Sequence, residues 1–390
     1  MAFPNGSFSF NHGNRVKRDN GIVLGYNTVF NYSNGRVFYK DFQSNDYLKS
    51  AVSDGEDLQR QVIRLGDVGK NTVMWSGLAT GSLKMGKSNL MATILYNQSA
   101  EATAARRVNK DVEQNQSTLF ENVLTYTQRT LATFLLNGSH KISKVELNWA
   151  NAFSYSRVYD PDFRETRISV TDNDTSLSTG NGAGIDRFWR ELNEYNESFK
   201  FDAKIPIRKN IDIKTGAIAT VKMRDFSVQA FKHRPNDLSE VSADSDWYLQ
   251  EDNIWSADPN SPNYRDGTYT IGNYQPSNTY EASQNVFGGY IMTEHNILSK
   301  LNLIYGVRME YASMFYTGQN STGSERYMNV NTLKKVNVLP ALNIVYSIND
   351  KMNLRLAYGR TVARPSFKEK SIASIYDPIT KRTFIGNIDL

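Results

Sequence analysis

Cysteine is absent from the 390 residues, and its absence excludes two classes of site. Structural disulfides and thiolate metal centres both need cysteine, so neither can stabilise this chain. Metal binding would then need histidines and carboxylates at short, regular spacings. The histidines stand far apart in the sequence: His12, His140, His233 and His295. We therefore predict no metal site and no cofactor.

Long apolar runs are absent as well. No segment approaches the roughly 18 consecutive apolar residues of a membrane-spanning helix. Residues 1–6 contain neither the basic nor the apolar region of a secretory signal peptide. Residues 386–390 end without a terminal strand. We expect both ends to be cuts within a longer protein.

Concentrated charge and catalytic motifs are also missing. The net charge of +5 is spread along the chain, which is not typical of a nucleic-acid-binding surface. No nucleophile elbow or phosphate-binding loop occurs, and the glycine-rich stretch 180–184 lacks the preceding strand of a dinucleotide-binding loop. We predict that the chain is not an enzyme and binds no nucleic acid.

What the sequence does contain is an alternation of apolar and polar residues with a period of two. In residues 301–312 one row is apolar throughout: Leu301, Leu303, Tyr305, Val307, Met309 and Tyr311. A helix would scatter these residues over all its sides, whereas a strand places them on one face. The pattern recurs at 145–155, 211–224, 336–348 and 352–362. Because a membrane barrel turns only alternate residues toward lipid, the mean hydropathy of -0.52 does not argue against one.

The connections between these strands alternate in length. Short turns are predicted at 86–88, 137–139, 208–210, 299–300 and 349–351. Long polar connections are predicted at 98–118, 158–189, 234–281, 317–334 and from residue 365. Short turns at one rim and long loops at the other are typical of outer-membrane barrels.

About twelve strands can be counted. They lie near 22–32, 35–43, 73–85, 89–98, 120–136, 144–157, 191–205, 211–232, 283–298, 300–316, 335–348 and 352–363. One segment differs, because Ile185, Phe188, Trp189, Leu192 and Tyr195 have helical spacing and predict a short amphipathic helix. The predicted fold is an all-β, transmembrane, antiparallel β-barrel with short periplasmic turns and long extracellular loops.

Several motifs resemble those of TonB-dependent receptor barrels. Residues 354–367 resemble the family signature R-x-x-Y-x-x-T-x-x-R-P-x-F, and residues 338–343 are similar to the LPSLN strand that precedes it. Residues 305–310 look like the G-x-R-x-E strand, and Gly386-Asn387 like the GNPxL segment. Earlier motifs are similar to the large Bacteroidetes-type branch: Tyr126–Leu131, Asn137-Gly138, Trp149 and Asp160–Arg164. The resemblance extends from about Ser7 to Leu390.

The resemblance implies a role and a set of partners. Residues 1–390 would form part of the barrel domain, about twelve strands of the roughly 22 that the family's barrels have, with the plug domain absent from this sequence. The whole receptor would sit in the outer membrane and import a large nutrient, a siderophore, oligosaccharide or peptide. Its partners would be the plug domain, the TonB complex, outer-membrane lipid and a surface lipoprotein. Two alternatives stay open: a passive twelve-stranded channel and a soluble carbohydrate-binding β-protein.

Two groups of residues are candidates for function. The first lies in the long connection 234–281, whose aromatic rings could stack on a sugar or pack on a peptide, or could instead fold the loop on itself: Trp247, Tyr248, Trp255, Tyr264 and Tyr269. The second follows from the resemblance, which implies contacts with the plug or with lumen carboxylates for the signature residues: Arg355, Arg360, Arg364, Pro365 and Phe367. Arg355 falls on the polar face of its strand, so we expect it to point into the lumen and these arginines to form salt bridges.

Overall fold

The computed structural model describes residues 4–49, 58–111, 118–170, 175–177, 184–236, 241–242, 244, 246–272, 276–298, 300–377 and 382–390. The strands are β1 (Gly6–Lys17), β2 (Val23–Lys49), β3 (Leu58–Met85), β4 (Ser88–Asp111), β5 (Thr118–Ile142), β6 (Val145–Val170), β7 (Thr175–Ser176), β8 (Gly184–Arg208), β9 (Ile211–Asn236), β10 (Gly267–Gly272), β11 (Tyr280–Leu298), β12 (Leu301–Gln319), β13 (Arg326–Asn349), β14 (Met352–Gly359), β15 (Ile375–Asp377) and β16 (Arg382–Phe384). The helical elements are α1 (Phe367–Lys370) and one-turn 3-10 helices at Trp247–Leu249, Glu251–Asn253 and Pro276–Asn278. Within these described ranges, no helix has the length and apolarity to cross a membrane.

Twelve long strands lie side by side in one antiparallel sheet. Their order follows the chain from β1 to β14, with the short strands β10 beside β9 and β7 beside β6. Strands β15 and β16 form a separate hairpin. In the part of the chain that the structure describes, β1 and β14 do not pair with each other, so the sheet has two edges there.

The predicted sorting of side chains onto two faces is confirmed. Antiparallel partners share a face, and the register pairs Met309 of β12 with Gly289 of β11 and with Val338 of β13. On this apolar face, Tyr305, Val307 and Met309 are exposed. The opposite, polar face carries charged residues such as Arg308 and Glu310, which are covered. Large apolar side chains left open on one face are what a lipid-facing wall requires.

Aromatic pairs mark one boundary of the apolar face. Trp75 with Tyr96, and Tyr155 with Tyr195, each place their ring centroids 5.0 Å apart. Beyond the second pair the same face becomes polar, since the next cross-strand pair is Arg157 with Asn193. Aromatic girdles of this kind are typical of the edge of the lipid-facing band of a barrel.

The strands are much longer than predicted. The predictions of long loops at 98–118, 158–189 and 317–334 are wrong, because strand residues occupy most of these ranges. At about 3.3 Å per residue, a strand of 25 residues rises roughly 80 Å, far more than the thickness of a hydrocarbon core of about 30 Å. Outside the bilayer neither face needs to be apolar, so backbone pairing continues where the alternating pattern fades.

Other boundaries also need correction. The predicted strands 22–32 and 35–43 form one strand, β2, and β1 was not predicted, so the count of twelve holds only because two errors cancel. The predicted turn at 137–139 lies inside β5, which ends at Ile142. Gly138 instead makes room for an indole, because a Cβ there would lie 2.4 Å from the Nε1 of Trp149. The turns at 86–88, 208–210 and 349–351 are confirmed, whereas Ser299 lies outside the described residues.

The predicted amphipathic helix around Ile185–Tyr195 is wrong, since β8 begins at Gly184 and runs through all of it. Both faces of β8 are covered at this level. Ile185 packs under Tyr248 on one face, and Phe188 contacts Phe163 on the other. Apolar residues on both faces of a strand break the period-two pattern and can imitate helical spacing.

Candidate functional site

Two connections leave the rim opposite the short turns and fold back onto the sheet. The outer loop comprises the described residues of 241–272. It packs against β6, β8 and β9 near the rim opposite the short turns. The inner strap comprises residues 364–377 and 382–390 and packs on the polar face. Together they contain eight of the ten residues for which function was predicted from the sequence or the resemblance. The other two, Arg355 and Arg360, lie in β14 and directly after it.

The outer loop is anchored by one buried tyrosine. Tyr248 is 0% exposed and packs among Ile168, Leu177 and Ile185. Its hydroxyl donates to the carbonyl oxygen of Ser242 at 2.8 Å and accepts from the Ser242 N–H at 2.9 Å. Burial raises the pKa of Tyr248 to about 12, so the phenol stays neutral. This residue holds the loop together and offers no ring to a ligand.

Ion pairs tie the same loop to the wall. Arg164 contacts both Asp162, at the bulge of β6, and Asp246 of the loop. Arg187 donates from Nε to Asp162 at 2.6 Å. Burial acts to raise the pKa of Asp162, but hydrogen bonds and charge from Arg187 and Arg164 outweigh it and lower the pKa. Asp162 is therefore ionised near neutral pH and joins two strands to the loop.

The remaining predicted aromatics of the loop divide by exposure. Trp247 is half-buried and packs edge-to-face on Tyr248 at 4.9 Å. Trp255, Tyr264 and Tyr269 are 40%, 37% and 44% exposed. Backbone bridges from 254 to 268 and from 256 to 264 hold the three segments that carry them side by side. These three rings are accessible to a ligand, and backbone hydrogen bonds hold the segments that carry them.

The inner strap is anchored by apolar packing. Its residues Phe367, Ile372 and Ala373 are buried in one cluster with residues of the wall: Phe226, Tyr280, Ala282, Met314 and Tyr316. Helix α1 begins with a capping box, in which Ser366 and Glu369 satisfy each other's backbone N–H groups. The guanidinium of Arg224 lies 5.2 Å from the ring of Phe367. The strap is therefore held from β9 across to β12.

The signature residues have different surroundings in the structure. Arg364 forms a salt bridge with Glu310, which also accepts from Nε of Arg308 at 2.6 Å. Arg355 and Arg360 are exposed, and the backbone N–H of Arg360 donates to the carbonyl of Pro340 at 3.1 Å. The half-buried Pro365 and the buried Phe367 lead into α1. Arg364 and Phe367 thus fasten the strap to the wall.

Gly386 and Asn387 close the strap on its own helix. Their N–H groups donate at 2.7 Å to the carbonyl oxygens of Ser371 and Glu369. A Cβ at position 386 would lie 2.5 Å from those same two oxygens, so only glycine fits. The Gly386-Asn387 motif therefore has a packing role at the end of α1.

A belt of buried charge on the polar face was missed by the sequence analysis. Arg107 and Glu121 are 2.6 Å apart, Arg190 and Asp160 are 2.5 Å apart, and Arg167 pairs with Asp186. The fully buried Glu165 lies in the same part of the wall. In the sequence these residues look like a solvated polar connection. Only the strand register, which sets Arg107 opposite Glu121 and Glu121 opposite Arg167, brings them together.

Residues 258–390 match the model of the outer membrane protein beta-barrel family. No curated protein and no solved structure matches the chain.

The antiparallel sheet, its apolar face and this match show the fold of an outer-membrane β-barrel and a location in the outer membrane. The family indicates a transport or channel role there and is typically non-enzymatic. The soluble carbohydrate-binding alternative does not fit this location. Within the described residues, no group of three or more His, Asp or Glu could hold a metal ion.

Proposed function

We propose that this chain is part of the barrel of a TonB-dependent receptor that imports a large nutrient. The observation that carries the proposal is that the twelve long strands do not close on themselves in the described part of the chain, since β1 and β14 pair only with β2 and β13. An open edge in hydrocarbon leaves backbone groups unsatisfied at several kcal/mol each. A wider barrel, with further strands and room for a plug domain, removes that cost.

The signature segment supports the same proposal. The strand β14 and the start of the inner strap carry the receptor-like motif, and Arg364 and Phe367 of that motif make defined contacts with the wall. In the proposed receptor, residues 1–390 belong to the barrel domain, a plug domain fills the lumen, and the TonB complex supplies the energy. A surface lipoprotein and outer-membrane lipid complete the set of partners.

We assign ligand contact to the exposed aromatics of the outer loop. Trp255, Tyr264 and Tyr269 offer flat, rigid surfaces, and carboxylates lie close by in sequence at Asp258 and Asp266. Aromatic faces with neighbouring hydrogen-bonding groups suit a sugar or a peptide. A barrel fold does not determine its cargo, so an experiment has to identify whether the transported molecule is a siderophore, an oligosaccharide or a peptide.

Uptake by cells that express the full-length protein tests the transport mechanism. The probes are a labelled ferric siderophore, a labelled oligosaccharide and a labelled oligopeptide, each with an energised and a de-energised inner membrane. We expect uptake of one probe only when the membrane is energised. Equal uptake with an energised and a de-energised membrane would contradict the proposal and favour a passive channel.

Alanine variants of the outer loop test the ligand surface. We expect Trp255→Ala and Tyr269→Ala to weaken binding of the transported probe at the cell surface by up to about tenfold each, since a stacked aromatic contributes roughly 0.5–1.5 kcal/mol. Phe38→Ala is the matched control, because Phe38 is an exposed aromatic elsewhere on the sheet. If the control and the loop variants bind alike, the loop is not the ligand surface.

A further inference from the structure

The short turns lie at one rim of the sheet and are rich in cationic side chains. Six links meet at this short-turn rim, because consecutive strands are antiparallel: β1–β2, β3–β4, β5–β6, β8–β9, β11–β12 and β13–β14. Their residues are 17–22, 84–88, 141–145, 208–210, 300 and 349–351. The acidic residues in these segments are Asp19 and Asp350. The cationic residues, which we name the basic collar, are ten: Lys17, Arg18, Lys84, Lys87, Lys141, Lys144, Arg208, Lys209, Lys300 and Lys351.

The charge of the rim departs from that of the whole chain. The chain is nearly balanced, with 45 Lys and Arg against 40 Asp and Glu, whereas the rim segments have ten cations against two carboxylates. All ten cationic side chains of the basic collar are exposed. Among the residues that the structure describes, one of them forms a salt bridge, Lys141 with Glu146 at 3.3 Å. The short-turn rim therefore presents a net positive charge to its surroundings.

Exposed apolar side chains lie directly beside the basic collar. Every one of the six turns has at least one of them on an adjoining strand end: Val16, Met85, Ile142, Ile207, Ile297, Ile348 and Met352. On β5, Phe134 and Ile142 are both exposed and are eight residues apart, so they lie on the same face of the strand. The lipid-facing surface thus extends down to the turns, and the cations begin where it ends.

An apolar surface that ends at a turn sets the depth of that turn in the bilayer. The lipid-facing side chains stay in the hydrocarbon core, and the residues that follow them enter the headgroup layer. Lysine and arginine can lay their aliphatic stems along the apolar surface while their charged ends reach the headgroup phosphates. Anionic headgroups attract these cations, whereas a zwitterionic headgroup carries no net charge to attract them.

The opposite boundary of the apolar face has a different character. There the aromatic pair of Tyr155 and Tyr195 is followed on β6 by Arg157, whose Nε lies 2.7 Å from a carboxylate oxygen of Glu191. This cation is neutralised within the wall itself. The two boundaries of one lipid-facing surface therefore differ in charge, and the positive one is the short-turn rim.

From these positions we infer that the basic collar binds the headgroups of anionic phospholipids in the leaflet at the short-turn rim. Its cations lie in all six turns, so the attraction is distributed along the rim and needs no closed pocket. The inference depends on the outer-membrane location of the chain and not on the proposed transport of a nutrient. Lipid binding is measured without any cargo, so its failure leaves the proposed function untouched.

Glutamine substitutions in three turns test the basic collar. The collar variant removes one charge from each of these turns: Lys87→Gln, Lys144→Gln and Lys209→Gln. A second variant keeps the charge at the same positions: Lys87→Arg, Lys144→Arg and Lys209→Arg. The matched control removes three charges from exposed lysines in the halves of β2, β4 and β9 that are farthest from the short turns: Lys40→Gln, Lys110→Gln and Lys232→Gln.

Lipid retention by the full-length protein is the first readout. The protein is reconstituted in vesicles of equal parts phosphatidylglycerol and phosphatidylcholine and extracted in non-ionic detergent, and its bound lipids are counted by mass spectrometry. We expect retention to favour phosphatidylglycerol by at least about fivefold, because one cation near an anionic surface contributes about 1 kcal/mol, which corresponds to that factor. The preference should disappear in about 0.5 M salt, which screens exposed charges.

The variants separate the basic collar from the charge of the protein as a whole. We expect the glutamine collar variant to lose at least half of the preference, and the arginine variant and the control to keep it. Equal retention of both lipids by the unmodified protein overturns the inference. An equal loss in the control or in the arginine variant overturns it too. An unchanged preference in the glutamine variant also overturns it and leaves an acidic periplasmic protein as the ligand of the rim.

Depth in the bilayer is the second readout. None of the 390 residues is cysteine, so Ile142→Cys and Lys144→Cys each give one site in this chain for a nitroxide label. In vesicles of the same composition, we expect oxygen to relax the label at 142 and a water-soluble nickel chelate to relax the label at 144. Equal access of the nickel chelate to both sites would place the whole turn in water, beyond the headgroups, and would overturn the inference.

Discussion

The outer loop and the inner strap start at the same rim and fold onto opposite faces of the sheet, and they differ in how much apolar surface and how many ion pairs attach them. Ion pairs at Arg164 and the single buried Tyr248 attach the outer loop. A cluster of buried apolar side chains around Phe367 attaches the strap. Partly exposed ion pairs contribute little and respond to pH and salt, whereas apolar burial contributes several kcal/mol and does not. We therefore expect the outer loop to detach from the wall at a lower cost in free energy than the inner strap.

The largest expected effect comes from removing the anchor of the strap. Phe367→Ala deletes a buried ring from the cluster and should destabilise the packing of α1 by about 3–5 kcal/mol. Limited proteolysis of the full-length protein in detergent should then cleave the strap while the barrel stays resistant. Phe384→Ala is the matched control, because Phe384 is an exposed ring in the same strap. Equal cleavage of both variants would contradict the contrast between the two segments.

The equivalent change in the outer loop should have a smaller effect. Tyr248→Phe keeps the packed ring but removes the hydroxyl that bonds twice to Ser242, at a cost of about 1 kcal/mol. Proteolysis within the outer loop should become a few times faster, with no change in the strap. Tyr269→Phe removes a hydroxyl from an exposed ring and should leave the cleavage rate unchanged. Loss of strap protection in Tyr248→Phe would show that the two segments are coupled.

A weaker effect is expected from the ion pair between loop and wall. Asp246→Asn removes one of the two carboxylates that Arg164 contacts and should cost the loop about 0.2–1 kcal/mol. The difference from the unmodified protein should shrink in high salt. A salt-independent loss of several kcal/mol, measured by hydrogen exchange in the loop, would show that the pair is not the exposed contact described above.

The mildest test is a change of pH, which should act on the outer loop alone. His233 bonds through Nδ1 to Thr270 of β10 at 2.9 Å. Burial, and then the charge of Arg187, lower the pKa of His233, so the unfolded form binds the proton more tightly. The contribution to stability is therefore lost as the pH falls below the usual histidine value of about 6.5. Loop exchange should rise below that pH and be flatter in His233→Gln. A pH response in the strap instead would contradict the assignment.

Much of the wall could be predicted from residue patterns. The alternation in 301–312 and the turn chemistry at 86–88 and 349–351 placed strands, faces and rims correctly, because lipid on one side and water on the other act on each strand locally. Strand ends were predicted wrongly outside the bilayer, because both faces of a strand can be polar there. The helical spacing at Ile185 and the turn assigned to Gly138 were wrong because contacts from distant residues, Tyr248 and Trp149, decide those positions.

The candidate site was predicted less well. The aromatics of the long connection and the signature arginines were identified by sequence and resemblance, but their division into anchors and accessible rings was not. Tyr248 and Tyr269 are the same residue type in the same loop, and only packing makes one buried and the other exposed. Arg364 and Arg360 likewise differ through the position of Glu310, which comes from another strand.

The residue pattern alone specifies antiparallel strands with one lipid-facing side, since the period of two is a property of each strand. Contacts between strands specify which charges form the buried belt and where the two connections fold. Those outcomes depend on residues brought together across strands, and burial, ion pairing and hydration act between neighbours in space rather than in the chain.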